Sequence, residues 1–126
     1  MNLAAIVASV LLAIVALFQL ALALGAPFGS AAWGGGHDGV LPRRLRVASG
    51  FAALVVYPLI ALYVLSSAGS IEVPWLPTGA TGMWVLAGLF TLGGIANLAS
   101  RSKIERAWAP VSLTIAVCCA VIASMI

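Results

Sequence analysis

The residues best suited to chemistry lie in one stretch, residues 25–46, which contains the only histidine of the chain. His37 precedes Asp38, and such a pair can exchange a proton as a general acid and base. The glycines at Gly34–Gly36 can direct several backbone N–H groups into one concavity that holds phosphate or carboxylate. Both patterns also arise often by chance. A compact turn that sets the geometry of its neighbours therefore stays open as the alternative.

Basic residues accompany this stretch and could bind anions. Three arginines close it, and three further basic residues lie between residues 100 and 107. Arginine binds phosphate and carboxylate with paired N–H groups, and each basic residue near an anionic membrane surface contributes about 1 kcal/mol. One histidine cannot form a metal site with the ligands available, and we assign no catalytic residue and no cofactor. The candidate residues for binding an anionic lipid or another ligand are Trp33, Gly34, Gly35, Gly36, His37, Asp38, Arg43, Arg44, Arg46, Arg101, Lys103 and Arg106.

The composition indicates which elements must position these residues. Of the 126 residues, 63% are hydrophobic and only 7% are charged. A soluble domain has about 25% charged residues, so this chain could not cover its surface in water. The net charge of +3 is no signal for nucleic acid, because there is no soluble domain to carry a basic surface. The bilayer is the predicted solvent.

Four uncharged runs predict four transmembrane helices, at residues 3–24, 47–65, 78–100 and 108–126. A helix needs about 20 residues to cross the hydrocarbon core. The first run lacks the basic segment of a secretory signal, so we interpret it as a retained helix. The prediction is an all-α polytopic membrane protein, a four-transmembrane-helix bundle in a single domain covering residues 1–126.

The basic residues also predict orientation. All six lie in the first and third connections, and none lies in the second connection or at the termini. Lys and Arg are enriched in cytoplasmic loops, so loop 25–46 is predicted to be cytoplasmic and both termini outside. Tryptophan prefers the headgroup level, which agrees with Trp33 and Trp108 at the inner interface and Trp75 and Trp84 at the outer one.

The spans themselves contain few polar groups. No Asp, Glu, Lys, Arg or His lies in the middle of a span, which argues against a proton-coupled carrier. A passive pore lined by carbonyl or hydroxyl groups stays open. Small residues allow close helix approach in lipid, so the glycine-rich third span is expected to be the most buried, packed by its partners within the chain or by another copy of it. Gln19 and Asn97 fall at similar depth and could form a hydrogen bond, and Pro58 should kink the second span. The candidate helix-packing residues are Gln19, Pro58, Gly88, Gly93, Gly94 and Asn97.

The start of the fourth span carries two signals. Ser102 and Glu105 fit a capping box, which would begin the helix near Lys103. Alternatively the helix begins at Trp108, with Pro110 harmless in its first turn. A short turn followed by a bend satisfies both. Further along this span the adjacent cysteines, Cys118 and Cys119, are expected to act as small hydrophobic residues.

Several segments resemble one family. They are similar to motifs of small four-helix membrane proteins of actinobacteria and bacilli, a family of uncharacterised activity. The segments are Gly25-Ala-Pro-Phe-Gly29, Ala32-Trp-Gly-Gly35, Val40-Leu-Pro-Arg-Arg-Leu-Arg-Val-Ala-Ser49, Asn97-Leu-Ala-Ser-Arg-Ser-Lys-Ile-Glu-Arg106 and Trp108-Ala-Pro-Val111. The resemblance implies the four-span fold and a multi-pass location in the bacterial inner membrane. It assigns no catalytic residue.

Three functions stay open on the sequence. The first is a structural or accessory membrane protein without enzymatic activity, acting as a homo-oligomer or as a subunit of a membrane complex. The second is a passive channel or small-solute transporter formed by oligomerisation. The third is a lipid-binding or lipid-active protein that uses the cytoplasmic loop. In each case the predicted partners are the bilayer and anionic lipids at the cytoplasmic face.

Overall fold

The computed structural model describes residues 2–126, in which every regular element is helical. Its four long helices are α1 (Leu3–Ala23), α2 (Arg43–Ser67), α3 (Ala80–Leu98) and α4 (Lys103–Met125). Each is long and apolar enough to cross a membrane. The predicted all-α class with four apolar helices is therefore confirmed.

Side chains cap both ends of α1. The Oδ1 atom of Asn2 accepts hydrogen bonds from the backbone N–H groups of Ala4 and Ala5, at 2.8 and 3.4 Å. This arrangement satisfies donors that have no partner within the helix. At the other end, Nε of Arg46 donates to the carbonyl oxygen of Ala23 at 3.2 Å. A cation there also favours the negative end of the helix dipole.

Helix α2 begins at Arg43, earlier than the predicted residue 47. The carbonyl oxygen of Pro42 accepts hydrogen bonds from the N–H groups of Leu45 and Arg46, both at 3.0 Å, which starts the helix there. The three arginines that the sequence placed in a loop thus occupy the first turn of a helix. Their long side chains can reach polar surroundings while their backbone is helical.

Pro58 lies directly after a π-helical turn, Ala52–Val56, within α2. Proline lacks an N–H and its ring crowds the carbonyl of the preceding turn. The wider π-turn accommodates this defect, so the distortion expected at Pro58 takes the form of a change in helix type.

The helices are arranged in the order α2, α1, α4, α3. Helix α3 packs most closely on α4, where the Oγ atom of Ser112 donates to the carbonyl oxygen of Phe90 at 2.7 Å. Gly94 makes this approach possible, because an added Cβ would lie 2.6 Å from the Leu113 side chain. Helices α2 and α3 pack least closely among neighbours, and the Tyr63 hydroxyl joins them by donating to the Gly79 carbonyl oxygen at 3.2 Å.

Within the chain, helix α4 is the most buried of the four, so the prediction that partners within the chain would bury the glycine-rich third span most is wrong. The most apolar stretch of α4 is 39% buried, against 17% for each of the others. Helix α4 packs on α1 and on α3. Glycine lets α3 approach α4 on one face only, and Gly88 is exposed. Cys118 and Cys119 are free and buried in the α4 core.

Candidate ligand cavity at the basic end of the bundle

The first connection covers one end of the bundle, which we call the basic end because all six Lys and Arg residues lie there. The indole Nε1 of Trp33 donates to the Oγ atom of Ser49 at 2.9 Å, and Ser49 is fully buried in α2. Within the connection, the Gly29 N–H donates to the Gly39 carbonyl oxygen at 2.8 Å. The connection therefore folds back against the helices.

A second attachment joins this connection to the one between α3 and α4. The Ser102 hydroxyl donates to the carbonyl oxygen of Ser30 at 2.6 Å. Gly35 lies against the same serine, and a Cβ added to Gly35 would be 2.7 Å from the Cβ of Ser102. The two connections are thus in direct contact at a position that has room only for glycine.

Three successive residues in this connection adopt the left-handed conformation. Trp33, Gly34 and Gly35 have φ angles of 52°, 82° and 73°. For the tryptophan this conformation costs roughly 1–2 kcal/mol, because its Cβ approaches the following carbonyl. The hydrogen bond to Ser49 offsets part of that cost. Trp33 and Gly34 are held at the rim of a cavity.

That cavity has a volume of about 850 Å³ and is bounded by all four helices and by both connections of the basic end. Ligand sites in proteins commonly have volumes of about 300–1,000 Å³. Its apolar walls come from the middle of the helices and include Val15, Ile60, Leu86 and Ile115. The cavity is thus large enough for a small organic ligand.

Most polar lining residues lie at the basic end of the cavity, namely Gln19, Asn97, Ser100 and Glu105 together with the Trp33 side chain. Tyr57 and Ser112 line it nearer the middle of the helices, where the Ser112 hydroxyl already donates to the Phe90 carbonyl oxygen. Leu86 and Asn97 lie at opposite ends of the α3 wall, about 16 Å apart at the usual helical rise of 1.5 Å per residue. The cavity therefore has a polar head region and an apolar region extending toward the centre of the bundle.

Glu105 is the main polar group that sequence reasoning missed. Its backbone N–H donates to the Ser102 hydroxyl at 3.2 Å and starts a short helix, Lys103–Arg106. A turn follows, and the main part of α4 begins at Ala109 with Pro110 in its first turn, so both predicted helix starts are present. The return half of the capping box does not form, because the Ser102 N–H donates to Ser100 Oγ instead, at 3.1 Å. The glutamate is only 7% exposed, and its Oε2 atom has no hydrogen-bond partner among residues 2–126.

Gln19 and Asn97 both line the cavity, but the hydrogen bond that the sequence suggested between them is absent from the described part of the chain. The Oε1 atom of Gln19 is buried and has no partner in the described part of the chain. Two residues that line the head region, Gln19 and Glu105, thus each contain a buried acceptor atom that no described protein donor satisfies.

The cavity reaches the outer surface of the bundle between α2 and α3. Val56 of α2 and Leu89 of α3 both line it, yet they are 36% and 58% exposed. These are the two helices that pack least closely on each other. The cavity therefore borders the side of the bundle between α2 and α3, and the exposed residues Trp33 and Gly34 border it at the basic end.

The His37–Asp38 pair is not part of the cavity lining. The Nδ1 atom of His37 is buried without a hydrogen-bond partner among the described residues, and Asp38 is exposed. Gly36 is exposed, and the Gly35 N–H donates to the Ala32 carbonyl oxygen at 3.0 Å. None of these four residues lines the cavity.

The six basic residues divide into two groups. Arg46 and Arg106 are half-buried and donate to backbone carbonyl oxygens, that of Ala23 and that of Ser100, the latter at 2.9 Å. Arg46 thus caps the end of α1, and Arg106 binds the backbone just after the end of α3. The other four are exposed at the basic end, and they are Arg43, Arg44, Arg101 and Lys103.

The predicted helix-packing residues are divided between two roles. Gly93 and Gly94 face α4, where the nearest side chains are those of Ser112 and Leu113. Gly88 and Pro58 are exposed.

Within residues 2–126, no group of three or more His, Cys, Asp and Glu side chains could hold a metal ion. Comparison with known protein families, curated proteins and solved structures finds no match to this chain.

Proposed function

We propose that this protein is a small accessory membrane protein that binds an amphiphilic, lipid-like molecule in the 850 Å³ cavity. The head of the ligand lies among the polar groups at the basic end. Its apolar chain extends along the helices and enters between α2 and α3. The observation that carries the proposal is the opening at Val56 and Leu89, which connects the cavity to the lipid-facing side of the bundle.

The distribution of polarity supports this orientation of the ligand. Gln19, Asn97 and Glu105 lie at one end, and the lining from the middle of the helices is mostly apolar, with Tyr57 and Ser112 as its polar members. An apolar cavity with a few convergent polar groups binds a molecule that has one polar end. Lipids and other amphiphiles in a bilayer hold their polar ends at the same depth as the basic end of this bundle.

We further propose that the basic end faces the cytoplasm of a bacterial inner membrane. The excess of Lys and Arg at that end supports the orientation, and the family resemblance supports the membrane. The four exposed basic side chains would then contact anionic headgroups, each with about 1 kcal/mol. A reporter enzyme fused after Ile126 should be active only outside the cytoplasm, and cytoplasmic activity would overturn this orientation.

Adjacent valines allow a matched test of the cavity. Val56 lines the opening and Val55 does not, although their exposed fractions are nearly equal, 36% and 38%. The purified protein in dodecyl maltoside would be labelled with a long-chain alkyl probe that carries a diazirine. Labelled residues would be identified by mass spectrometry.

We expect the probe to label cavity residues such as Leu86 and Ile115 in the unaltered protein. Val56→Trp should reduce that labelling several-fold, because the indole fills the opening. Val55→Trp adds the same bulk outside the cavity and should leave the labelling unchanged. Equal labelling in the two variants, or labelling of exposed residues alone, would overturn the proposed function.

A further inference from the structure

We propose that the ligand has a positively charged amine head, and that the Glu105 carboxylate and the Gln19 amide oxygen recognise it. The inference rests on the proposed function, since it identifies the head group of the amphiphile that occupies the cavity. It follows from the unsatisfied acceptors of the head region rather than from the size or opening of the cavity.

Glu105 carries the first step of the argument. A buried carboxylate is costly unless a counter-charge or hydrogen-bond donors stabilise it. This one is 7% exposed and lines the cavity, and its Oε2 atom has no donor within the described chain. A donor from the ligand would supply what the protein does not.

The basic residues of the chain do not serve as that donor. Of the described residues that line the cavity, none is Lys, Arg or His. Arg106, the residue next to Glu105, directs Nη1 to the Ser100 carbonyl oxygen instead. The charged group inside the head region is therefore an acid, which favours a cationic ligand over an anionic one.

Gln19 adds a second acceptor in the same region. Its Oε1 atom is buried and lacks a partner within residues 2–126. A protonated primary amine has three N–H donors and no acceptor, which matches two unsatisfied oxygens. A phosphate head would bring further acceptors and negative charge next to the carboxylate. The chemistry points to an alkylammonium amphiphile.

The surrounding aromatic residues are compatible with this head group. Trp33 and Trp108 line the cavity, and the Trp108 ring packs on Phe18 with centroids 4.7 Å apart. Indole faces attract ammonium groups.

The test uses competition against the diazirine probe in dodecyl maltoside at neutral pH. The competitors are dodecylamine, which is protonated, and dodecanol, which has the same chain and no charge. In the unaltered protein, dodecylamine should compete at a concentration about tenfold or more below that of dodecanol. A charge-assisted hydrogen bond in a buried site has an effect of this size.

Glu105→Gln keeps the shape of the side chain and its position after the Ser102 cap, but removes the charge. We expect this variant to lose the preference, so that the two competitors act at similar concentrations. Glu72→Gln makes the same chemical change at an exposed residue outside the cavity and should retain the full preference.

The outcomes separate the two proposals. If cavity residues are labelled but dodecylamine shows no advantage, or if Glu105→Gln keeps the advantage, the amine is wrong and amphiphile binding stands. If dodecyl sulfate competes best, the head region takes anions and the amine is likewise wrong. If the cavity is not labelled at all and Val56→Trp has no effect, the proposed function itself fails.

Discussion

The hydroxyl of Ser102 donates a 2.6 Å hydrogen bond to the carbonyl oxygen of Ser30, which joins two connections that are far apart in sequence. The same hydroxyl accepts from the Glu105 N–H at 3.2 Å. One side chain thus both starts α4 and holds the first connection over the cavity. The helical turn that contains Glu105 packs on the first connection beside this contact.

Ser102→Ala should lower the free energy of unfolding by about 1–2 kcal/mol, because it removes a helix cap and a hydrogen bond between connections. Thermal unfolding in dodecyl maltoside can be followed with a thiol-reactive dye, since Cys118 and Cys119 are free and buried. Ser124→Ala is the control, because that hydroxyl bonds only to the Val121 carbonyl within its own helix. Equal losses in the two variants would contradict the role of Ser102.

Gly35→Ala should destabilise the protein by about 1–2 kcal/mol from the left-handed backbone alone, since φ is 73°. The new Cβ would also lie 2.7 Å from the Cβ of Ser102. Gly36→Ala is the matched control one residue away, where φ is −83° and no described atom lies within 4 Å of the added Cβ. The same dye assay measures both, and a control as unstable as Gly35→Ala would refute this explanation.

Trp33 and Ser49 should be energetically coupled through their 2.9 Å hydrogen bond. Trp33→Phe removes the indole donor and leaves the buried Ser49 hydroxyl without it. A double-mutant cycle with Ser49→Ala should give a coupling energy of about 0.5–1.5 kcal/mol. Additive effects of the two substitutions on stability would show that the hydrogen bond does not hold the connection to α2.

Gly94→Ala should destabilise the protein by about 1–3 kcal/mol, because the methyl group would overlap the Leu113 side chain at the α3–α4 contact. Gly88→Ala on the exposed side of the same helix meets no described atom within 4 Å and should be neutral or slightly stabilising. Unfolding and chromatographic size are measured for both. A Gly88→Ala protein that is smaller on the column would instead indicate that this face packs against a second copy.

Local signals were sufficient for the helices. The lengths of the apolar runs determined that there are four, and Ser102 marked the start of α4 near Lys103. Pro58 indicated a distorted turn in α2, and the π-turn lies directly before it. These features depend on residues within one or two turns of each other, so they can be derived without knowledge of the neighbouring helices. The start of α2 at Arg43 does not follow from the uncharged run that begins at residue 47, because a helix tolerates arginine in its first turn.

The existence and lining of the cavity depend on the tertiary structure, because residues from all four helices form it. Every helix here is apolar around most of its circumference, so the sequence contains little information about which face meets which neighbour. That is why glycine in α3 suggested burial, whereas the central position went to α4. Glu105 shows the same difference between local and tertiary information. The sequence places it three residues after the Ser102 cap, a local relationship. Its burial and its position in the cavity lining depend on how the helices and connections pack together.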